Sequence, residues 1–325
     1  MKALLVLFFL VSLNTYSGRA FSPRVQYLSP EETQRRLKML EYDNNFKILS
    51  LEKFREKRDL EILNVKLSSK SPIDPTKSLI TEFIWYRKKD AGIRPLIILS
   101  PPIVGVDPAE KLIASAFTRN EPFYNTFILK YDEKINDKKR PTSALSNAFL
   151  NSITQGRILI DFAQTQPDFI DAKKIGCYGM SLGGVMSAML AEVDSRIKAA
   201  VIIVGGGNFP EILANSVQGI VKGYREARMK EENIKTKEEL ISRLRQTLMF
   251  DPLYFASRVP TRNIYQVIGL EDTAVPTKNQ LELWKAFGEP QSAQYDANHF
   301  PTILRNAPHH KPIMDFLAWR FALEK

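Results

Sequence analysis

Gly179-Met180-Ser181-Leu182-Gly183 sets a serine between glycines two positions to either side. A serine hydroxyl becomes a useful nucleophile only when a base takes its proton, and the base in turn needs a carboxylate to hold its tautomer and stabilise its positive form. The chain supplies both partners in order. Asp272 follows Ser181, and all three histidines, His299, His309 and His310, follow Asp272. The chemistry such a set supports is two-step acyl transfer, with backbone N–H groups receiving the charge that develops on the carbonyl oxygen.

The spacing around Ser181 has a steric reason. A serine projecting from a sharp strand-to-helix turn sits in a strained backbone conformation, and side chains two residues before and after it would collide with neighbouring elements. Gly-x-Ser-x-Gly also occurs in ordinary loops, so its context decides. Here an apolar run precedes it and the small, apolar run Leu182–Leu190 follows with helical character. Ser181 would then stand at a helix N-terminus, where free N–H groups and the helix dipole favour negative charge.

Asp272 lies in Gly269-Leu-Glu-Asp-Thr-Ala-Val-Pro276, between an expected strand and an expected helix. Glu271 is the competing acid, and Asp272 also fits the ordinary role of a turn or cap aspartate. His299 falls in a loop after the short strand that opens at Ala293, whereas His309 and His310 open the last helix. A histidine in the loop after the last strand reaches the serine more readily, which favours His299. The His309-His310 pair has no acid or cysteine nearby to complete a metal site and reads as surface. No metal and no organic cofactor is implied.

These residues need a scaffold that brings distant turns to one edge. Strands are expected at Leu60–Ser68, Leu79–Arg87, Arg94–Ser100, Phe123–Leu129, through Cys177, at Ile197–Val204 and at Thr261–Gly269. Helices are expected from Ser29, as cap of Pro30, to about Asn44, from Asp107-Pro108 to Phe117, and over Ser143–Thr165. The alternation predicts an α/β fold with a mostly parallel central sheet flanked by helices, whose ligands bind at the carboxyl ends of the strands. Residues 205–260 break the rhythm with two amphipathic helices, about Pro210–Glu232 and Lys237–Met249, read as a helical lid insertion. Their Val217, Ile220, Val221 and Leu248 either line an apolar acyl pocket or pack on the main domain.

The glycine-flanked serine, the acid turn 269–276 and the Asn298-His299-Phe300 segment resemble the α/β-hydrolase superfamily, which has the same order of serine, acid and histidine. The resemblance covers roughly residues 79–323 and, within the superfamily, the chain resembles the dienelactone-hydrolase and prolyl-oligopeptidase-like serine esterases. It implies an α/β-hydrolase fold with Ser181 as nucleophile, Asp272 as acid and His299 as base. The family often carries His-Gly after the strand where this chain has Pro101-Pro102. Proline has no N–H to give, so the oxyanion donors expected are the amides of Ile103 and Leu182. The resemblance thus implies a carboxylesterase-like serine hydrolase acting on a small-molecule ester or acyl substrate. A peptidase or acyltransferase on the same residues, or a non-catalytic envelope binding protein of the same fold, are the alternatives.

Composition sets outer bounds. The 325 residues are 44% hydrophobic and 25% charged, as in globular proteins, and carry a formal charge of +10. Basic residues are scattered among acids and no nucleic-acid-binding motif accompanies them, so nucleic acid is not an expected partner. Met1–Ala20 has Lys2, an apolar run to Leu13, and small residues Gly18 and Ala20. That pattern predicts a signal peptide cleaved after Ala20 and a secreted or periplasmic protein, the run being short for a membrane span. Residues 21–78 are expected to pack on a main domain of 79–325. The one cysteine, Cys177, excludes an internal disulfide framework and reads as a small buried hydrophobe.

Overall fold

The computed structural model describes residues 24–57, 59–89, 92–106, 108–131, 137–306 and 311–324. The expected signal peptide, Asp107, His309 and His310 lie outside the described residues. Among the described residues nine strands form one sheet in the order β1-β2-β3-β5-β4-β6-β7-β8-β9. They are β1 (Phe46–Lys57), β2 (Leu60–Lys70), β3 (Ser78–Lys88), β4 (Arg94–Ser100), β5 (Asn125–Lys130), β6 (Ile170–Met180), β7 (Ile197–Ile203), β8 (Ile264–Gly269) and β9 (Gln291–Tyr295). From β5 through β9 every neighbouring pair is parallel. β1, β2 and β3 pair antiparallel and join the rest through an antiparallel β3–β5 ladder.

The central parallel strands β4 and β7 carry unbroken apolar runs because helices cover both faces there. In β4, Leu96 and Ile98 enter one core while Ile97 and Leu99 enter the opposite one. The first core is closed by α3 (Leu145–Gln164), α4 (Leu182–Val193) and α9 (Thr277–Ala286), through residues such as Ile158, Ala188 and Leu283. The second is closed by α2 (Pro108–Arg119) and α11 (Lys311–Ala322), through Phe117, Ile313 and Phe316. Cys177 is fully buried, its thiol donates to Ser187 O at 3.3 Å, and burial pushes its pKa up to about 12.

α1 (Pro30–Met39) starts as the sequence predicts, with Ser29 Oγ accepting from Glu32 N at 3.2 Å and Pro30 at the first position, but it stops five residues before Asn44. The segment before β1 is pinned to the main body. Arg24 donates to Val259 O at 2.6 Å, Arg36 to Met249 O at 2.9 Å, and the Tyr42 hydroxyl to Asp161 Oδ2 at 2.7 Å. β1 is an addition to the elements expected from sequence. It is an edge strand whose Ile48, Leu49, Leu51 and Phe54 are all exposed, so it lacks the alternation by which a half-buried strand announces itself.

Between β7 and β8 the insertion differs from the expected pair of helices. The stretch Pro210–Glu232 is two helices, α5 (Phe209–Asn215) and α6 (Gly219–Glu231), followed by α7 (Lys237–Thr247) and the single turn α8 (Pro252–Phe255). The break at residues 216–218 is held by buried Arg225, whose guanidinium donates to Leu213 O at 3.1 Å and Ser216 O at 2.9 Å. Asp251 closes the base of the insertion, accepting from the N–H groups of Asn208, Phe209 and Leu253. Among the described residues no helix is long and apolar enough to cross a membrane.

Candidate active site

β6 ends at Met180 and α4 begins at Leu182, leaving Ser181 alone on the turn with φ 57° and ψ −123°. That is a strained region for a side-chain-bearing residue. The turn is clamped by the Ser181 N–H donating to Ile203 O at 2.9 Å and by Val185 N–H donating to Ser181 O at 3.1 Å. The flanking glycines are there for space. A Cβ on Gly179 would lie 2.0 Å from Gly183 O, and one on Gly183 would lie 2.0 Å from Ser100 O. Leu182 is the first residue of α4, so its N–H has no acceptor within the helix and points outward with the helix dipole.

Asp272 occupies the turn after β8. Its Oδ1 accepts from the N–H groups of Ala274 at 2.8 Å and Val275 at 3.0 Å, and its Oδ2 faces His299 Nδ1 at 2.6 Å. Both side chains are buried, whereas Glu271, the competing acid, is exposed. His299 is not in a loop as its sequence context suggests. It is the first residue of α10 (His299–Arg305), whose cap Asn298 accepts the His299 N–H at 2.7 Å. That cap fixes the backbone from which the ring reaches Asp272. With Nδ1–H directed at the carboxylate, Nε2 carries the lone pair a general base needs.

One buried residue at this site has no motif to advertise it. Gln280, on the first turns of α9, donates from Nε2 to Asp272 Oδ2 at 2.8 Å and to Val275 O at 2.7 Å, while its Oε1 accepts the Gly269 N–H at 3.1 Å. A neutral amide on a helix gives no sequence signal. Its only trace is a polar residue on the apolar face of α9, three before the core residue Leu283.

The loop after β4 turns at Pro102-Ile103-Val104-Gly105, closed by Gly105 N–H donating to Pro102 O at 2.9 Å, with Gly105 at φ 85°. Ile103 and Leu182 stand together on the wall between two cavities. One is a small apolar pocket of about 30 Å³ that Ser181 opens into, walled by Phe209, Leu213 and Val221 of the insertion and by Val275 beside the acid turn. The other is a cleft of about 1040 Å³ running from Ile103 and Leu182 out to β1. Of the four insertion residues expected to line an acyl pocket or pack, Val221 lines the small pocket and Ile220 the cleft. Val217 is exposed and Leu248 is buried in the core that the insertion shares with α3 and α4. Among the described residues no group of three His, Cys, Asp or Glu side chains is placed to hold a metal ion.

The chain matches no family model and no curated protein in sequence. Solved structures do match its fold. An acetyl xylan esterase from Paenibacillus sp. R4 superposes with a TM-score of 0.65 at 16% identity, over 92% of this chain and 97% of that one. Acetyl xylan esterase 1 from Thermoanaerobacterium sp. JW/SL YS485 does so with 0.59 at 14% identity, over 94% and 98%. The acylaminoacyl peptidase of Pyrococcus horikoshii gives 0.54 at 16% identity, over 86% of this chain and 50% of that one. At these identities the likeness is one of fold: this chain has the α/β-hydrolase fold that its sequence resembles.

Proposed function

We propose that this protein is a serine hydrolase that cleaves carboxylic esters, with Ser181 as nucleophile, His299 as base and Asp272 as its orienting acid. The observation that carries the reading is the 2.6 Å contact between His299 Nδ1 and a buried, doubly N–H-capped Asp272, across the strand ends from a serine held at φ 57°. A turn aspartate in a purely structural role has no need of a buried imidazole, and a strained serine has no structural benefit.

In the first step Ser181 Oγ attacks the ester carbonyl carbon as its proton passes to His299 Nε2. The carbonyl oxygen takes the negative charge, and the N–H groups of Leu182 and Ile103 receive it. The tetrahedral species collapses by breaking the bond to the alcohol oxygen, which takes the proton from His299. Water then attacks the acyl-enzyme with His299 again as base, releasing the acid and restoring Ser181. Each oxyanion donor is worth on the order of 3 kcal/mol in the transition state.

The small pocket beside Ser181 is apolar throughout its described lining apart from Ser181, Gln218 and Tyr224, which suits an uncharged group of a few carbons. The named esterases among the structures of like fold agree with ester cleavage as the reaction class. Secretion after cleavage at Ala20 belongs to the same proposal, and intact mass of the protein exported by its host tests it.

Labelling of purified protein with a fluorophosphonate, followed by intact mass, tests the activated serine. A single adduct that vanishes in Ser181→Ala is the expected result. A folded protein that takes no adduct overturns the reading and leaves a binding protein on a hydrolase fold.

A further inference from the structure

The cleft on the far side of Ile103 and Leu182 has a composition that the ester reading leaves unexplained. It lies where the antiparallel strands β1–β3 extend the sheet beyond the hydrolytic centre. Its floor and sides are apolar and aromatic, with Phe54, Ile84 and Tyr86 among them. Three of its described lining residues are basic, Arg55, Lys111 and Lys130, and none is acidic.

Two of the three charges are also available. Arg55 on β1 and Lys111 on α2 are exposed, and no described carboxylate lies within ion-pair distance of either. Lys130 faces Glu82 across the β3–β5 ladder and shares that carboxylate with Lys66, whose Nζ lies 2.9 Å from it. Phe54, 69% exposed, stands next to Arg55 on β1 and offers a ring to an apolar body that the cations would hold by its end. Low-dielectric walls beside charges of one sign focus the potential into the cleft.

We propose that this cleft binds an anionic arm of the substrate, an apolar body ending in a negatively charged group, while the small pocket beside Ser181 takes an uncharged group. The site's preferred substrate is then an acidic ester. The inference rests on the hydrolase reading for its location, and its test is built to fail separately from that reading.

Titration calorimetry of the Ser181→Ala protein compares 4-phenylbutyrate with 4-phenylbutyramide, which are alike in size and shape and differ at the end group, one charged and one neutral. Tighter binding of the carboxylate by on the order of tenfold at low ionic strength is expected, lost in high salt and in Arg55→Glu/Lys111→Glu. Equal binding of the two, or no binding of either, overturns the proposal whether or not the wild-type protein is an enzyme. Thermal unfolding of the double variant verifies that it is folded, and Lys130→Gln, a milder change, serves if it is not.

Kinetics then locate the charged arm. The mono-4-nitrophenyl ester of glutaric acid is compared with 4-nitrophenyl pentanoate, and 4-acetoxybenzoate with 4-acetoxybenzamide. Preference for the charged member of the first pair places the anion on the acyl side, and of the second on the alcohol side. Equal kcat/KM within both pairs overturns the proposal. Failure to hydrolyse any of the four overturns the ester reading instead and leaves the cleft to the calorimetry.

Discussion

Gln280 Nε2 meets Asp272 Oδ2 at 2.8 Å, the same oxygen that faces His299 Nδ1 at 2.6 Å. The amide and the imidazole therefore converge on one carboxylate oxygen from two elements, and Gln280 also ties Asp272 to the end of β8 through Gly269. We expect Gln280→Met to lower kcat by on the order of 10- to 100-fold while KM stays nearly constant, because the acid is misplaced and the pocket is not. Steady-state kinetics on a neutral short-chain ester check this. A KM change at constant kcat would show that Gln280 is only part of the packing.

The acid assignment separates two neighbours by their burial. Asp272→Asn should cut turnover by on the order of 10⁴-fold with the protein still folded, since the amide presents the wrong partner to Nδ1. Glu271→Gln, on an exposed side chain, should change it less than about twofold. The reverse pattern would move the acid to Glu271. His299→Ala should likewise abolish turnover, and a His309→Ala/His310→Ala double variant should keep most of it.

Strain at Ser181 predicts a gain in stability on its removal. Glycine adopts the φ 57°, ψ −123° conformation freely, whereas alanine keeps the steric conflict. Ser181→Gly should unfold at a higher temperature than Ser181→Ala, by an amount equivalent to about 1 kcal/mol or more, both being inactive. Gly183→Ala should do the opposite and destabilise by more than about 3 kcal/mol, because its Cβ would meet the backbone oxygen of Ser100 at 2.0 Å and that of Pro101 at 2.9 Å.

Glu192 on α4 is buried, and among the described residues its two carboxylate oxygens have no hydrogen-bond partner. Burial first, and the charge of Asp251 second, push its pKa well above the ordinary carboxylate range, against a smaller opposing effect of Arg258. The folded state therefore favours the protonated form. Its stabilising effect is fully present below the unfolded pKa of about 4.3 and is lost as pH rises through the raised folded value, with a slope approaching about 1.4 kcal/mol per pH unit. Glu192→Gln removes this titration. Chemical denaturation across the weakly acidic to weakly basic range should show wild type losing stability relative to the variant as pH rises, and a constant difference would contradict it.

How much of this was legible beforehand depends on the range over which each feature is encoded. The glycines at 179 and 183 answer a clash within a single turn, so the strained serine is written in five consecutive residues. β4 is equally local, since a strand covered on both faces must be apolar at every position, and Leu96–Leu99 are. Asp272 and His299 were readable as candidates, but the choice between neighbouring acids is one of burial, and their contact spans 27 residues. Only the sheet order, which sets β8 beside β9, brings them together.

Other features left no local trace. Gln280 is a polar residue on a helix until α9 docks against the acid turn. The edge strand β1 buries neither face enough to show a period, and the insertion reads as amphipathic helix wherever it lies. Whether Val217 faces solvent or Val221 faces Ser181 was decided by how Arg225 breaks α5 from α6. Steric demands between near neighbours determine residue types directly. Convergence of distant turns, and the placing of three cations around one cleft, depend on packing that no short stretch of sequence contains.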